Sequence, residues 1–388
     1  MSRTALMKGA VFLAGLCIIG CAGNSPLQTI TSDTILLRTW NGYRHSFIHP
    51  TGRVLRPQND DTVSEGQAYA MLRAVWMDDQ KTFDRCYRWT EQNLSRAGQK
   101  ADSLLAWHWK DGKVVDWMPA SDADIDYALA LLLASSRWGK SQSKNMPDYG
   151  ERAQRLMADI LNYATFREPD GRLYLTPWLI KEHTASAPLP QNPSYYSPAH
   201  FRVFYTFSGD LRWMELVDTA YWLLDNLGRT FAGQKGVGLI PDWCGIDMKG
   251  TFVQLENKNP NFGWEAVRIP FRIMLDQLWF NSPQAKAFLN GPLSEFVFAQ
   301  WQVHQTVYCE YRYDGVAIRP YENPLFYSAY YCLLYSSANT RAEELLKKSQ
   351  SFIKKSNQRA RYFEEGASKK GITDPNAINP FVNGKENK

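Results

Sequence analysis

Three aspartates at alternate positions open an apolar segment of the sequence and raise the first question about chemistry. They are Asp122, Asp124 and Asp126, in the stretch SDADIDYALALLLASSRWG. Like charges this close repel one another, although one or two acids are stabilised by the positive end of a helix. That dipole explanation remains an alternative. A third aspartate beside a tryptophan-rich loop fits better with carboxylates directed into a cleft.

A further acidic position, Glu65, falls in the first turn of a helix that SEGQAYAMLRAVWM predicts from residue 64. The predicted start is a capping box, in which Ser64 caps the helix and Gln67 lies three residues later. A carboxylate there is normally stabilised as the anion, whereas burial and neighbouring carboxylates raise a carboxyl pKa. Two carboxylates whose pKa values are pushed apart can perform the acid–base chemistry of glycoside hydrolysis.

Helices and loops, with few strands, must position these acids. Several predicted helices begin with a capping residue followed by proline, as at Ser197–Pro198, Ser282–Pro283 and Asn323–Pro324. Apolar periodicity predicts further helices at about 81–95, 122–137, 149–165, 210–227, 264–280, 284–302, 324–337 and 340–355. Helices joined by alternately short and long loops suit a closed ring of helix pairs, so we expect an all-α fold.

Aromatic residues make up 14% of the 388 residues, including 14 Trp and 20 Tyr. Many of the tryptophans fall in the loops AWHWKDGKVVDWMP, GRLYLTPWLI and GVGLIPDWCG. Large rings fill cores and also provide surfaces on which flat ligands stack, and both interpretations stay open. The net charge is +5 and basic residues are scattered, so the sequence predicts no nucleic-acid partner.

The amino terminus resembles the leader of an exported lipoprotein. Arg3 and Lys8 precede the apolar run GAVFLAGLCIIG, whose length suits a signal peptide better than a membrane span. The run and the following cysteine read IIGC, which resembles a bacterial lipobox. By that resemblance residues 1–20 are removed, Cys21 is acylated as a membrane anchor, and residues 21–34 form a polar tether. An ordinary signal peptide cleaved nearby, or an uncleaved anchor, is the alternative.

Beyond the tether we expect one domain over residues 35–350, because no Pro/Gly-rich linker divides it. Residues 351–388 form a polar, charged tail that is poor in apolar residues. Ala22 after the lipobox resembles outer-membrane sorting in a Gram-negative host, which predicts a location at the bacterial cell envelope. Export permits disulfides, but the sequence leaves their pairing open among four cysteines: Cys86, Cys244, Cys309 and Cys332.

Five segments resemble glycoside hydrolase family 8 in order and rough spacing: SEGQAYAM, ASDADIDYALALLLASSRWG, NPSYYSPAHFRVF, GLIPDW and FGWEAVRIPFR. The resemblance covers roughly residues 35–340. It implies an (α/α)6 barrel with a long open substrate cleft and an inverting mechanism without metal or cofactor. Members of this family include bacterial endoglucanases, chitosanases and xylanases.

The same resemblance assigns three catalytic residues. Glu65 matches the general acid, and Asp124 matches the aspartate that holds the sugar at the cleavage point. Glu265 falls where cellulase-type members carry the aspartate that serves as base, and it keeps the carboxylate while adding one methylene. Glu265 is therefore either the base or a structural residue held by Arg268 or Arg272.

Substrate-binding candidates surround these acids in the sequence. Tyr195 and Tyr196 match an aromatic pair that lies near the substrate in the family. The other candidates have side chains suited to stacking on sugar rings or binding their hydroxyl groups: Asp122, Trp107, Trp178, Trp243, Trp264 and Arg268.

The expected activity is inverting endo-hydrolysis of a β-1,4-linked polysaccharide, with β-glucan or a cellulose-like exopolysaccharide as the leading substrate. Chitosan and xylan are alternatives, and Asp122, Asp126 and Asp242 are acids that would suit cationic chitosan. A non-catalytic glycan-binding lipoprotein is the alternative from another class. A lipid anchor would hold the protein where secreted polysaccharide emerges, so association with an exopolysaccharide synthesis and export system is also expected.

Overall fold

A computed structural model describes residues 26–142, 146–180, 183–184, 187–336 and 341–352. The predicted signal peptide, Cys21 and nearly all of the predicted tail lie outside these residues. The first helix begins at Pro26, inside the segment predicted as a tether. Within the described ranges, no helix combines the length and the apolar character needed to cross a membrane.

Helices account for most of the described chain. In chain order they are α1 (Pro26–Phe47), α2 (Ser64–Trp76), α3 (Gln80–Asn93), α4 (Ser121–Trp138), α5 (Tyr149–Tyr163), α6 (Pro198–Ser208), α7 (Arg212–Arg229), α8 (Ile269–Phe280), α9 (Pro283–Leu289), α10 (Pro292–His304) and α11 (Pro324–Ser336). Residues 342–352 are also helical. Short 3₁₀ turns cover Pro193–Tyr195 and Ala266–Arg268.

The strands are short and form small sheets between the helices. They are β1 (Asp61–Val63), β2 (His108–Lys110), β3 (Lys113–Asp116), β4 (Thr165–Arg167), β5 (Leu173–Leu175), β6 (Leu189–Gln191), β7 (Thr230–Phe231), β8 (Gln234–Lys235), β9 (Cys244–Ile246), β10 (Phe252–Val253), β11 (Glu310–Tyr311) and β12 (Ala317–Arg319). Two sheets have three strands, in the orders β1-β2-β3 and β10-β9-β6, and three have two strands, β4-β5, β7-β8 and β11-β12. The antiparallel register places Thr62 opposite Trp109, and Pro190 opposite Gly245.

The chain divides into two compact units that alternate along the sequence. Unit 1 comprises the described residues up to Thr165 together with Pro177–Ile180 and Val203–Asp210. Unit 2 comprises Phe166–Thr176, Lys181–Arg202 and the described residues from Leu211 onward. The predicted acid and the aspartate triplet belong to unit 1, and Glu265 belongs to unit 2.

Helix α4 lies at the centre of unit 1. It packs against α2 and α5, and α2 also packs against α3. Every residue from Ser121 to Leu132 is buried, which explains why the sequence of α4 is apolar on all sides rather than along one stripe. The three aspartates therefore lie at the inner end of a core helix.

In unit 2, α8 packs against α9 and α11. The segment that leads into α8 is fixed by aromatic contacts, because the Phe262 ring stacks on Tyr330 with centroids 6.2 Å apart. Phe262 also exchanges backbone hydrogen bonds with Tyr311, at 3.0 and 3.1 Å. These contacts anchor the chain just before Glu265.

The capping box predicted at the start of α2 is wrong. Val63 precedes the helix and makes no capping bond through its side chain, and Ser64 is already helical. Gln67 is buried, and its side-chain oxygen accepts the Val54 N–H at 2.5 Å while its nitrogen donates to Thr90 Oγ1 at 2.8 Å. Distant partners therefore engage the side chain that was expected to turn back onto the helix start.

Two of the helix starts predicted from a capping residue followed by proline have the expected capping hydrogen bond. Ser282 accepts the Ala285 N–H through its hydroxyl at 3.2 Å, and Asn323 accepts the Leu325 N–H at 2.9 Å. The single helix predicted over 284–302 is two helices, α9 and α10, because a second proline, Pro292, opens a new helix after Gly291.

Candidate functional site

The aspartate triplet of unit 1 is buried as a group. Asp122, Asp124 and Asp126 are 1%, 0% and 3% exposed. Asp122 and Asp124 lie in the first turn of α4, where the helix dipole stabilises negative charge. The three carboxyl groups therefore lie inside unit 1 and do not form an acidic patch on its surface.

Asp124 holds a neighbouring loop by its backbone. Its Oδ1 accepts the Leu105 N–H at 2.9 Å, and its Oδ2 is buried with no hydrogen-bond partner in the described part of the chain. Burial raises the pKa of Asp124 well above 3.8, against the opposing effects of the Leu105 N–H and the Arg152 charge. These contacts make Asp124 an anchor for the loop, and its contact with sugar stays a prediction.

The anchored loop leads directly to the predicted acid. Two residues after Leu105, the Trp107 carbonyl accepts the Ser64 N–H at 2.9 Å. Glu65 follows in the first turn of α2, half-buried, and receives a long hydrogen bond of 3.4 Å from the Ser64 hydroxyl. The structure thus brings Glu65, Trp107 and Asp124 into one hydrogen-bonded region of unit 1.

Two tryptophans of unit 1 keep part of their surface accessible. Trp107 is half-buried, and its ring centroid lies 4.6 Å from that of His108. Trp178 is half-buried and follows Pro177, whose carbonyl accepts the Ser121 N–H at 3.2 Å. Ser121 is thus a helical residue that is bound through its backbone.

In unit 2, Glu265 is held by a cation and an amide. The Arg268 guanidinium donates to Glu265 Oε2 in an ion pair whose two side chains are 21% and 16% exposed. Asn192 Nδ2 donates to the same oxygen at 3.1 Å. A general base must be oriented, and these two donors fix the direction of the Glu265 carboxylate.

Arg268 also connects Glu265 to an aromatic group. Its Nη2 donates to Ser194 Oγ at 2.8 Å, and its Cζ lies 5.2 Å from the centroid of the Tyr195 ring. Tyr195 meets Trp243 edge-on, with centroids 5.9 Å apart. Lys258 Nζ lies 4.3 Å from the centroid of Trp243, so the aromatic pair has a cation against each ring.

The other two predicted aromatic residues of unit 2 are engaged by protein groups. Tyr196 is 3% exposed, donates its hydroxyl to Gln191 Oε1 at 2.6 Å and accepts the Leu175 N–H at 2.9 Å. Trp264 is half-buried, and its Nε1 lies 3.2 Å from Glu310 Oε1. Tyr196 therefore holds backbone inside the unit, while Trp264 retains an accessible part.

The functional contribution that sequence reasoning missed is the position of Asp242. Its Oδ1 accepts three backbone N–H groups, from Gly263 at 2.9 Å, Glu265 at 3.1 Å and Ala266 at 2.8 Å. Its Oδ2 accepts Asn259 Nδ2 at 2.8 Å. Burial raises its pKa from 3.8 to about 7, opposed by the Ala266 N–H and reinforced by the charge of Glu265. The motif GLIPDW contained the residue, but no local pattern reveals donors more than 20 positions away.

The four cysteines within the described ranges are buried side chains. Cys86, Cys244 and Cys309 are buried free thiols, and burial raises the pKa of Cys86 to about 12. Cys332 donates to the Ser328 carbonyl at 3.3 Å. Among the residues that the structure describes, no group of three or more His, Cys, Asp or Glu side chains could hold a metal ion.

Similarity to characterised proteins is consistent with this arrangement. Endoglucanase A of Acetivibrio thermocellus is 32% identical over 237 residues, which cover 59% of this chain and 44% of that protein. The reducing-end xylose-releasing exo-oligoxylanase Rex8A of Paenibacillus barcinonensis is 30% identical over 258 residues, covering 63% of this chain and 66% of that protein. The chain thus spans less than two thirds of the length of these relatives.

Among solved structures, the endo-1,4-D-glucanase from Vibrio fischeri ES114 aligns with a TM-score of 0.70 at 24% identity, covering 81% of this chain and 88% of that one. This likeness concerns the fold, and the predicted all-α class, the (α/α)6 barrel, is confirmed. The sequence model of glycosyl hydrolases family 8 matches residues 19–313, which is more than half of the chain. The motifs around Glu65, Asp124 and Glu265 fall inside that match, and the chain belongs to glycosyl hydrolases family 8.

Proposed function

We propose that the protein is an inverting endo-hydrolase of a β-1,4-linked polysaccharide. The observation that carries the proposal is Glu265, at the family's base position, with its carboxylate held by Arg268 and Asn192. The ion pair with Arg268 is also what the structural alternative for Glu265 predicts, so the activity of Glu265→Ala decides between the two roles. Glu65, at the family's acid position, supplies the second carboxyl group.

In the proposed reaction Glu65 gives its proton to the glycosidic oxygen as the bond to the anomeric carbon breaks. Glu265 takes a proton from water, and the water oxygen bonds to the anomeric carbon from the opposite face. Both carboxyl groups exchange their protonation states, and bulk water restores them. Inverting pairs are separated by about 6.5–9.5 Å so that the water fits between base and sugar.

The positive charges beside the Tyr195 and Trp243 rings favour a neutral or anionic glycan. Arg268 and Lys258 lie against the Tyr195 and Trp243 rings, where they would repel the ammonium groups of chitosan. The acids that would suit chitosan are buried, and Asp242 is occupied by four N–H donors. We therefore propose a β-glucan or cellulose-like substrate and place chitosan last.

Xylan is the second candidate, because one relative is named for the release of xylose from oligoxylan. The test is reducing-sugar release from carboxymethyl cellulose, mixed-linkage β-glucan, xylan and chitosan, each with wild type and with Glu65→Gln as the inactive control. Rapid loss of viscosity on a glucan is expected for endo action. Release only from xylan would replace the proposed substrate, and release from none would leave the glycan-binding alternative.

We also propose a lipid-anchored protein of the bacterial envelope, at the outer membrane in a Gram-negative host. The support is the sequence IIGC ending at Cys21, which follows a basic and then an apolar segment. An enzyme fixed there would meet polysaccharide as an exopolysaccharide synthesis and export system releases it.

A further inference from the structure

Asp242 accepts the backbone N–H of the proposed base, Glu265, from a different loop, since β9 and β10 lie between the two residues in the chain. We propose that Asp242 is a positioning residue, which fixes the backbone of residues 263–266 and thereby sets the direction of the Glu265 carboxylate. The inference rests on the proposed function, in which Glu265 is the base. It assigns Asp242 a task in the reaction without contact to sugar or water.

Three backbone donors converge on the carboxyl group of Asp242. The N–H groups of Gly263, Glu265 and Ala266 all point to Asp242 Oδ1, at 2.9, 3.1 and 2.8 Å. One of these donors belongs to Glu265 itself, so the bond acts on the residue whose side chain must be directed. Three donors on one oxygen restrict the rotation of the whole loop, because each bond requires its own N–H direction.

The loop also surrounds the carboxyl group of Asp242 closely. A Cβ atom at Gly263 would lie 2.9 Å from Asp242 Oδ2 and 3.2 Å from Asn259 Nδ2. Only glycine permits this approach, and Asp242 itself is 3% exposed. A carboxyl group so enclosed has little freedom of its own and can serve as a fixed reference for the loop.

The side-chain donors and Asp242 bind different parts of Glu265. Arg268 and Asn192 bind its carboxylate, whereas Asp242 binds its backbone. The side-chain donors determine where the carboxylate oxygen lies only if the Cα atom is fixed as well. A displacement of about 1 Å at a reacting group can cost about 10²-fold in rate.

The experiment begins with Asp242→Asn, which keeps size and one acceptor oxygen but presents an NH₂ group to the NH₂ of Asn259. We expect kcat to fall about 10²-fold, with KM within a few-fold of wild type. The double variant Asp242→Asn/Asn259→Asp makes the pair complementary again and should recover at least tenfold of the loss. Asp247→Asn is the matched control, since Asp247 also accepts backbone N–H groups, from Lys249 and Thr251, in another turn of unit 2.

A double-mutant cycle separates positioning from general structural support. In a Glu265→Ala background there is no carboxylate to direct, so Asp242→Asn should leave the residual or azide-rescued rate within twofold. An equal further loss in that background, or a kcat of Asp242→Asn within twofold of wild type, would overturn the inference. Thermal unfolding of each variant establishes that rates are compared per folded molecule. If Asp242→Asn does not fold, the double variant Asp242→Asn/Asn259→Asp is used for the comparison in its place. Full activity of Glu265→Ala would instead remove the proposed base.

Discussion

Glu265 is held at both ends: its carboxylate accepts from Arg268 and Asn192, and its backbone N–H donates to Asp242. Glu65 lies in the first turn of α2 and accepts a hydrogen bond from the Ser64 hydroxyl. At the scale of single residues, a general base must be oriented toward water and a general acid must be able to carry a proton.

Glu65→Gln should abolish hydrolysis of unactivated glycans while leaving their binding nearly unchanged. The amide preserves size and hydrogen bonding but has no proton of suitable acidity, and general acid catalysis contributes about 10²–10⁴-fold. Steady-state rates and calorimetric binding to an oligosaccharide measure the two effects. Turnover within a few-fold of wild type would remove Glu65 from the role of acid.

Glu265→Ala should remove hydrolysis, and azide or formate should restore part of it by entering the space that the side chain leaves. Glu265→Asp should retain measurable but reduced activity, well above that of the alanine variant, because the carboxylate is withdrawn by one methylene. Rates of the three proteins on one glucan make the comparison.

Early products of the wild type should have the inverted anomeric configuration, because water attacks opposite the leaving group. Proton NMR within the first turnovers reads the configuration directly. Retained configuration would exclude the inverting mechanism whatever the variants show.

Glu65 and Glu265 could be proposed from the sequence because their motifs are local. Asp242 was visible only as an acid of the GLIPDW segment, since its donors lie in a different loop. Tyr196 belongs to the aromatic pair that was predicted to lie near the substrate. In the structure its hydroxyl instead holds Gln191 and Leu175, which the sequence motif did not reveal.

At the scale of elements, the loop from Leu105 to Trp107 joins the starts of two core helices. Asp124 of α4 binds its beginning, and Ser64 of α2 binds its end. One predicted helix, 284–302, is two helices, the start predicted at 264 lies at Ile269, and α1 begins inside the predicted tether. The other helix ranges were predicted closely, because apolar periodicity is a property of the segment itself. The bonds at the helix starts were not, because Gln67 and Ser121 are bound by residues far away in the sequence.

Asp124→Asn should change how stability depends on pH. The pKa of Asp124 is raised in the folded protein, so the folded state retains its proton to higher pH than the unfolded chain. Asp124 therefore makes its full contribution to the free energy of unfolding below the pKa that it has in the unfolded chain. That contribution declines as the pH rises, by at most about 1.4 kcal/mol per pH unit. The asparagine variant does not titrate and lacks this decline.

Urea unfolding of both proteins between pH 4 and pH 8 makes the measurement, with Asp116→Asn as the exposed control that also accepts one N–H, from Met118. The free energy of unfolding of wild type minus that of Asp124→Asn should fall as the pH increases. A difference that rises with pH would show that Asp124 is charged in the folded protein.

At the scale of the whole molecule, the family places this chain among glycosidases, and the amino terminus determines where it would act. Cys21→Ser should release the protein from the membrane fraction or leave it unprocessed, since no thiol remains to carry acyl chains. Cys17→Ser, within the apolar run, is the matched control and should remain anchored. Fractionation and intact mass measure both, and unchanged mass and membrane association of Cys21→Ser would exclude the lipobox.

The alternation of two units along the chain was not predictable from composition. No Pro/Gly-rich linker marks the changes at Thr165, Thr176 or Ile180. A short segment such as Pro177–Ile180 belongs to unit 1 because of its contacts, and contacts between distant residues leave no local signature.

This alternation has a consequence for synthesis on the ribosome. The Pro177 carbonyl, which accepts the Ser121 N–H at the head of α4, is made roughly 40 residues after that helix ends at Trp138. At about 5–20 residues per second, the nascent aspartate helix waits several seconds for this partner. Unit 1 is complete only when Asp210 has emerged, after the first two short segments of unit 2, Phe166–Thr176 and Lys181–Arg202, have been made. A gene fragment that stops at Thr165 therefore does not encode a complete unit 1. Recombination between relatives at that position would combine segments of different origin within both units.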